Sequence, residues 1–150
     1  MAKVLTVKNP WAWLIAQGIK DIENRTWRTN FRGRVLIHAS AYQNIHVWDE
    51  LPYDYREELR KFNHKQQEMN LQSFLTRSKI LCSVEIVDCV INHPSIWAEK
   101  GTTEDGKQIY NWVIANPQPE PQFEGLKIKG ALSLWDFSED RIIRKGVPNV

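Results

Sequence analysis

The sequence predicts an α+β domain: a small, mostly antiparallel β-barrel flanked by short helices, with a helical insertion. Three observations lead there. Separated apolar runs rich in branched residues, "VLIHAS" at 35–40, "ILCSVEIVDCVI" at 80–91 and "LKIKGALSLWDF" at 126–137, read as strands. No strand–helix alternation repeats along the chain, which argues against a doubly wound sheet and for a closed antiparallel one. Residues 43–79 are instead polar, charged and helical in character, and read as an insertion of about 45–79 packed over one side.

The first element is a short strand at 3–8, where Val4, Thr6 and Lys8 alternate with Leu5 and Val7. "NPWAWLIAQG" then predicts a compact helix: Asn9 caps it, Pro10 suits its first position and Gly18 its C-terminal end. Trp11, Leu14 and Ile15 form its apolar stripe. Lys20 falls just past the helix end, where a cation meets the free carbonyls. "KDIENRTW" is an exposed strand or extended loop, and "NFRGR" a turn with Gly33 supplying the conformational freedom.

The insertion divides into two helices near 68–70, one with Leu59 and Phe62 on a face, the other with Leu71, Phe74 and Leu75. After the strand at 80–91, Pro94 leads the chain out of the sheet into a short helical turn at 95–100. Residues 106–116 make another strand, and "PQPEPQFEG" is irregular because of its prolines. The last long strand, 126–137, places Leu126, Ile128, Leu132 and Leu134 on one face, and the polar tail from 138 caps the barrel or frays.

The 150 residues suffice for one domain with a real core, and are too few for two. A hydrophobic content of 42% excludes a disordered chain, and a formal charge of +2 leaves any case for nucleic acid to the local distribution of charge. Cys82 and Cys89 match no metal knuckle and read as reduced core thiols of a cytoplasmic protein. No signal peptide and no membrane span is expected. His38, His46, His64 and His93 show no metal spacing, and there is no phosphate loop or nucleophile elbow, so neither metal nor cofactor is expected.

The charged stretch "GIKDIENRTWRTNFRGRVLIHAS" raises the functional question. Arg25, Arg28, Arg32 and Arg34 are four arginines in ten residues, interleaved with Trp27 and Phe31. Arginine forms planar contacts to phosphate and aromatic rings stack on bases; the alternative is a solvated hairpin with arginines lying over its aromatics. Lys20 and Glu23 form a surface salt bridge or a cleft pair able to hold an anionic oxygen or move a proton. Glu85, inside an apolar strand, is either on the barrel exterior or paired, with Lys20 and Arg25 as candidate partners. His38 is a hydrogen-bonded core histidine, and His38 and Ser40 share one face of their strand.

This chain resembles the ASCH domain family of the PUA-like superfamily. The resemblance lies in Pro10 with Trp11, in the Gly-x-Lys-x-x-Glu-x-Arg pattern of Gly18, Lys20, Glu23 and Arg25, in Arg32 with Gly33, and in the strand ending His38, Ala39, Ser40. "VEIVDCV", "YNWVIANP" and "IKGALSLW" resemble the later strands. It implies a PUA-like β-barrel and a cleft near the Gly-x-Lys motif that meets RNA, DNA or a nucleotide-like ligand. Some members are amidohydrolases of acylated cytidine, using the motif's lysine, a threonine three residues later and a glutamate. Lys20 matches the lysine, Glu23 stands in the threonine's place, and Glu85 and Glu99 are candidates for the glutamate. A member that cleaves RNA with lysine, tyrosine and serine suggests Lys20, Tyr42 and Ser40.

The leading expectation is therefore a nucleic-acid-binding module, for RNA in particular. Lys20, Arg25, Arg28 and Arg32 contact phosphate, Trp27 or Trp97 stacks on a base, Glu23 orients Arg25 or accepts from a base amino group, and Ser40 contacts the ligand. The competing expectation is a small hydrolase of a modified nucleoside or of RNA, with Lys20 as acid–base group and Glu85 or Glu99 as partner carboxylate. A third places a protein partner on the helical insertion, around Trp48 and Tyr53.

Overall fold

The computed structural model describes residues 2–43, 53–65 and 76–144. In chain order the elements are β1 (Lys3–Asn9), α1 (Trp11–Ala16), β2 (Ile22–Arg25), β3 (Gly33–Gln43), α2 (Tyr53–Lys65), β4 (Lys79–Val90), β5 (Tyr110–Gln118) and β6 (Leu134–Asp136), with 3-10 turns at Pro121–Phe123 and Glu139–Arg141.

The strands form one sheet in the order β2-β5-β4-β3-β1-β6. β1 runs parallel to β3, with Leu5 opposite Ile37 and Thr6 opposite His38; the other pairings are antiparallel. A parallel pair needs a crossover, and the α1–β2 segment supplies it. The expected closed barrel is thus corrected to a mixed sheet flanked by α1 and α2. Among the described residues its edge strands β2 and β6 pair with β5 and β1, and not with each other.

The reason lies in the segment expected to be the last long strand. Only Leu134–Asp136 is extended in the sheet. Residues 127–129 bond outward instead: the Ile128 N–H donates to the Ser78 carbonyl (2.6 Å), the Lys129 N–H to that of Arg141 (2.8 Å), and the Ile143 N–H to that of Lys127 (2.7 Å). Ser133, at φ 57°, breaks the extended run. Ile128 is therefore fully buried while Leu132 is 92% exposed, and the expected common face does not form.

The segment expected as a short helical turn at 95–100 is a single turn closed by the Ala98 N–H donating to the Ser95 carbonyl (3.1 Å). Asn24 and Asn111 strap it to the sheet: Asn24 Nδ2 donates to the Trp97 carbonyl (3.0 Å), and Asn111 Nδ2 to that of Glu99 (2.9 Å). Of the insertion, α2 is seen; the second helix and Trp48 lie outside the described residues, as do the side chains of Leu59 and Phe62. Tyr53 is exposed on α2, and Tyr55 stacks on Trp97 at 4.6 Å.

Both faces of the sheet are covered. Val35 and Ile37 pack with Leu5, Val84, Ile86 and Trp112 beneath α1, whereas Leu36 turns to the opposite cluster with Val4, Ile80, Ile128 and Trp135. Burial on both faces explains why these strands read as continuous apolar runs. α1 is too short to persist alone. Leu14 and Ile15, at most 1% exposed, hold it by contributing about 1.5–3 kcal/mol each. The N-cap is Pro10 rather than the expected Asn9, but from one position earlier Asn9 Oδ1 still accepts the first-turn N–H of Trp13 (3.1 Å).

Cys82 and Cys89 are free and buried, and burial pushes the Cys82 thiol up to about 12. No described helix is long and apolar enough to cross a membrane.

Candidate functional site

β2 is the edge strand that carries the site. Ile22, fully buried under α1, anchors it, and Glu23 lies opposite Trp112 on β5. The two-residue strand period puts Glu23 and Arg25 on one side. An Arg25 guanidinium nitrogen donates to Glu23 Oε2 (3.2 Å) and to the Thr6 main-chain carbonyl (2.9 Å), tying β2 across to β1. Lys20 Nζ is 3.9 Å from Glu23 Oε1, donates to the Ile22 carbonyl, and sits 5.7 Å from the Trp11 ring centre. One carboxylate is therefore held between an ammonium and a guanidinium, with Lys20 5% and Glu23 7% exposed.

Burial holds the Lys20 ammonium below its ordinary 10.5, and the carboxylates of Glu23 and Glu99 act in the opposite sense. The Arg25 guanidinium lies 5.3 Å over the Trp27 ring, which meets Trp112 edge to face at 5.8 Å. Trp112 Nε1–H donates to the Trp27 carbonyl (3.1 Å), so the Trp27 backbone is fixed from below.

These groups border a cavity of about 480 Å³, a volume suited to one small organic ligand. Glu23, Arg25, Trp27 and Ser40, all expected in the site, line it. Lys20 does not: it stands behind Glu23, so it sets the position of the carboxylate rather than facing a ligand. Arg28 is exposed and outside the lining. Arg32 also falls outside, 3.7 Å from Asp88, and donates to the Thr29 and Phe31 carbonyls at 3.0 and 2.8 Å.

Two more expected residues lie away from the cavity. Trp97 is 4% exposed and already stacked on Tyr55, so it offers no free face to a base. Glu85 pairs with neither Lys20 nor Arg25. It accepts from Arg34 (3.3 Å), its cross-strand neighbour, and from Asn116 (3.4 Å), and does not line the cavity. Glu99 is exposed but close enough to act on the Lys20 charge. Tyr42 is exposed, with the Lys8 ammonium 5.2 Å from its ring centre. Among the described residues no cluster of side chains is arranged to hold a metal ion.

Sequence comparison aligns residues 5–124, which include the Gly-x-Lys-x-x-Glu-x-Arg segment, with the ASCH domain. The chain belongs to the ASCH domain family. ASCH domains are PUA-like and generally linked to nucleic-acid binding. The chain is similar to Activating signal cointegrator 1 of Homo sapiens (26% identical) and of Mus musculus (24%), each over 132 residues, 87% of this chain. It spans about a fifth (21%) of the length of those relatives.

The ASCH cavity includes residues that the sequence did not single out, chiefly Thr6, Lys8 and Ser133. The alternation of Thr6 and Lys8 against Leu5 and Val7 is the signal that marks a polar face on β1. Thr6 is the junction of the wall. Its carbonyl takes Arg25, and its Oγ1 accepts from Trp135 Nε1–H (3.0 Å) and bonds His38 Nδ1 (3.1 Å). His38 Nε2 is 2.7 Å from the Ile128 carbonyl, which only accepts. The neutral ring therefore carries its proton on Nε2, and the Thr6 hydroxyl donates to Nδ1.

Burial lowers the His38 pKa below 6.5. The unfolded chain then takes up this proton first on acidification, so the contribution of a neutral His38 is full above 6.5 and declines as the pH drops below it. In urea unfolding at pH 7 and pH 5, the wild type is expected to lose more stability on acidification than His38→Gln.

Proposed function

We propose that this ASCH domain binds nucleic acid, RNA in particular, and takes one base into the cavity between Glu23, Arg25, Trp27 and Ser40. The observation that carries this reading is the Glu23–Arg25 pair lining that cavity beside a half-exposed tryptophan, with Lys20 buried behind the carboxylate. Glu23 is fixed on two sides by cations and keeps further acceptor sites for a base amino group. Arg25 supplies planar donors, and Trp27 supplies a stacking face. Family membership supports nucleic acid as the ligand class.

The test is a filter-binding titration of single-stranded RNA at several salt concentrations. Wild-type affinity is expected to fall as salt rises, because phosphate contacts release counterions. Arg25→Ala and Trp27→Ala are each expected to weaken binding about tenfold to a hundredfold, from the loss of roughly 1.5–3 kcal/mol. Absence of RNA and DNA binding at low salt overturns the reading.

Hydrolysis has less geometric support. Lys20 is turned from the cavity to the Ile22 carbonyl, and Glu85 is committed to Arg34. What favours it is the burial of Lys20, which lowers its pKa against the opposing charges of Glu23 and Glu99. Turnover of an acylated nucleoside or of RNA that disappears in Lys20→Ala would favour that reading.

A further inference from the structure

The cavity at Arg25 adjoins another. A second cavity, of about 580 Å³, shares Thr6, Ser40, Ala131 and Leu132 with the first, so the two form one groove over the β1–β3 edge of the 130–133 loop. The linings differ in chemistry. The first offers an indole face, a carboxylate and a guanidinium; the second, among the described residues, offers Lys127 and Lys129 and no carboxylate.

These lysines stand on a fixed backbone. They flank the fully buried Ile128, whose N–H donates to the Ser78 carbonyl and whose own carbonyl takes His38 Nε2. The Lys129 N–H donates to the Arg141 carbonyl, and the Lys127 carbonyl accepts from the Ile143 N–H. Among the described residues neither ammonium has an ion-pair partner. His38, the other titratable group in the lining, adds no negative charge. Two cations without an acidic partner among the described residues, beside a cavity lined by no described carboxylate, create a local positive potential that attracts an anion. A single nucleotide in the Arg25 cavity leaves this second volume unused, whereas a strand continues into it.

We propose that Lys127 and Lys129 form a phosphate subsite, and that the groove takes a single-stranded oligonucleotide across both cavities, one base at Arg25 and Trp27 and the adjoining backbone at the two lysines. This rests on the reading of the Arg25 cavity as a base pocket.

The test is fluorescence anisotropy with labelled single-stranded oligomers of about one, three and six nucleotides, RNA and DNA in parallel so that binding by either is read. Wild-type affinity is expected to rise at least about tenfold beyond one nucleotide. Lys127→Ala with Lys129→Ala is expected to remove that gain and to lower the salt slope by about 1.4, two phosphate contacts at roughly 0.7 each. Its affinity for the mononucleotide should stay unchanged, whereas Arg25→Ala weakens both. If the double variant binds the hexamer as tightly and with the same slope while Arg25→Ala does not, the phosphate subsite is overturned and the base pocket stands. If the wild type binds no oligomer, both fall. A duplex bound as tightly as the single strand also overturns the proposal.

Discussion

Glu23→Gln is expected to destabilise the fold by about 3 kcal/mol at pH 7, the lower end of the cost of breaking a buried ion pair. The substitution keeps the shape and leaves an amide oxygen as acceptor, but turns an NH₂ group toward one of two cations. Lys20, 5% exposed, is left as a buried ammonium without its carboxylate. The cost has a signature in pH. Burial already lowers the Lys20 pKa and Glu23 opposes that shift, so the variant lowers it further. Between the variant and wild-type values the variant's folded state has released a proton that wild type still holds. Its deficit therefore shrinks as pH rises through that window, as linkage requires. Urea unfolding of both proteins from pH 7 to pH 10 reads this directly. A deficit that stays constant across the range would show that Lys20 does not depend on Glu23. Glu85→Gln is the control: its pair with Arg34 is exposed, with side chains 41% and 38% accessible, and it should cost no more than about 1 kcal/mol.

The contrast between Glu23 and Glu85 marks what the sequence could convey. Both are acidic residues beside apolar ones, and composition ranks Glu85, deep in a twelve-residue strand, as the more notable. The sheet reverses this. Antiparallel register sets Arg34 directly opposite Glu85, a long-range pairing that no local pattern encodes. Glu23 lies on a four-residue edge strand whose importance comes from what packs behind it. Local chemistry was legible where it acts locally: the Asn9 side chain on the first turn of α1, Gly18 at φ 74°, and the strand read at 35–40, which lies within β3. The motif singled out Lys20, Glu23 and Arg25 in the sequence, and the fold sets Trp27 beside Arg25. Closure of the sheet was not legible. It turned on whether residues 126–137 pair as a strand, and their apolar spacing cannot reveal that 127–129 bond to Ser78, Arg141 and Ile143 instead. The place of Trp97 was hidden for the same reason, since whether an indole is exposed or part of the core depends on Tyr55, distant in sequence.

Gly130 shows how that irregular loop serves the groove, and Gly130→Ala is expected to cost about 3 kcal/mol from overpacking and weakened hydrogen bonds. A Cβ there would lie 2.7 Å from His38 Cε1 and 3.0 Å from both His38 Nδ1 and Thr6 Oγ1. Neither neighbour yields easily. His38 is 1% exposed and bonded through both nitrogens, to Thr6 and to the Ile128 carbonyl. Thr6 Oγ1 also holds Trp135, and the Gly130 carbonyl accepts from Arg141 (3.2 Å). The added methyl must either separate the loop from β1 or break the Thr6–His38 bond. A double-mutant cycle distinguishes this clash from any general intolerance of the loop. In a His38→Ala background the ring is gone, and Gly130→Ala should then cost less than about 1 kcal/mol, so the coupling exceeds roughly 2 kcal/mol. Additive costs by thermal or urea unfolding would show that the loop is held by something other than this contact. Because Thr6 lines both cavities and its carbonyl positions Arg25, the cycle has a second readout. Under conditions where the folded state still dominates, Gly130→Ala should weaken RNA binding, and His38→Ala with Gly130→Ala should weaken it less than the sum of the single changes.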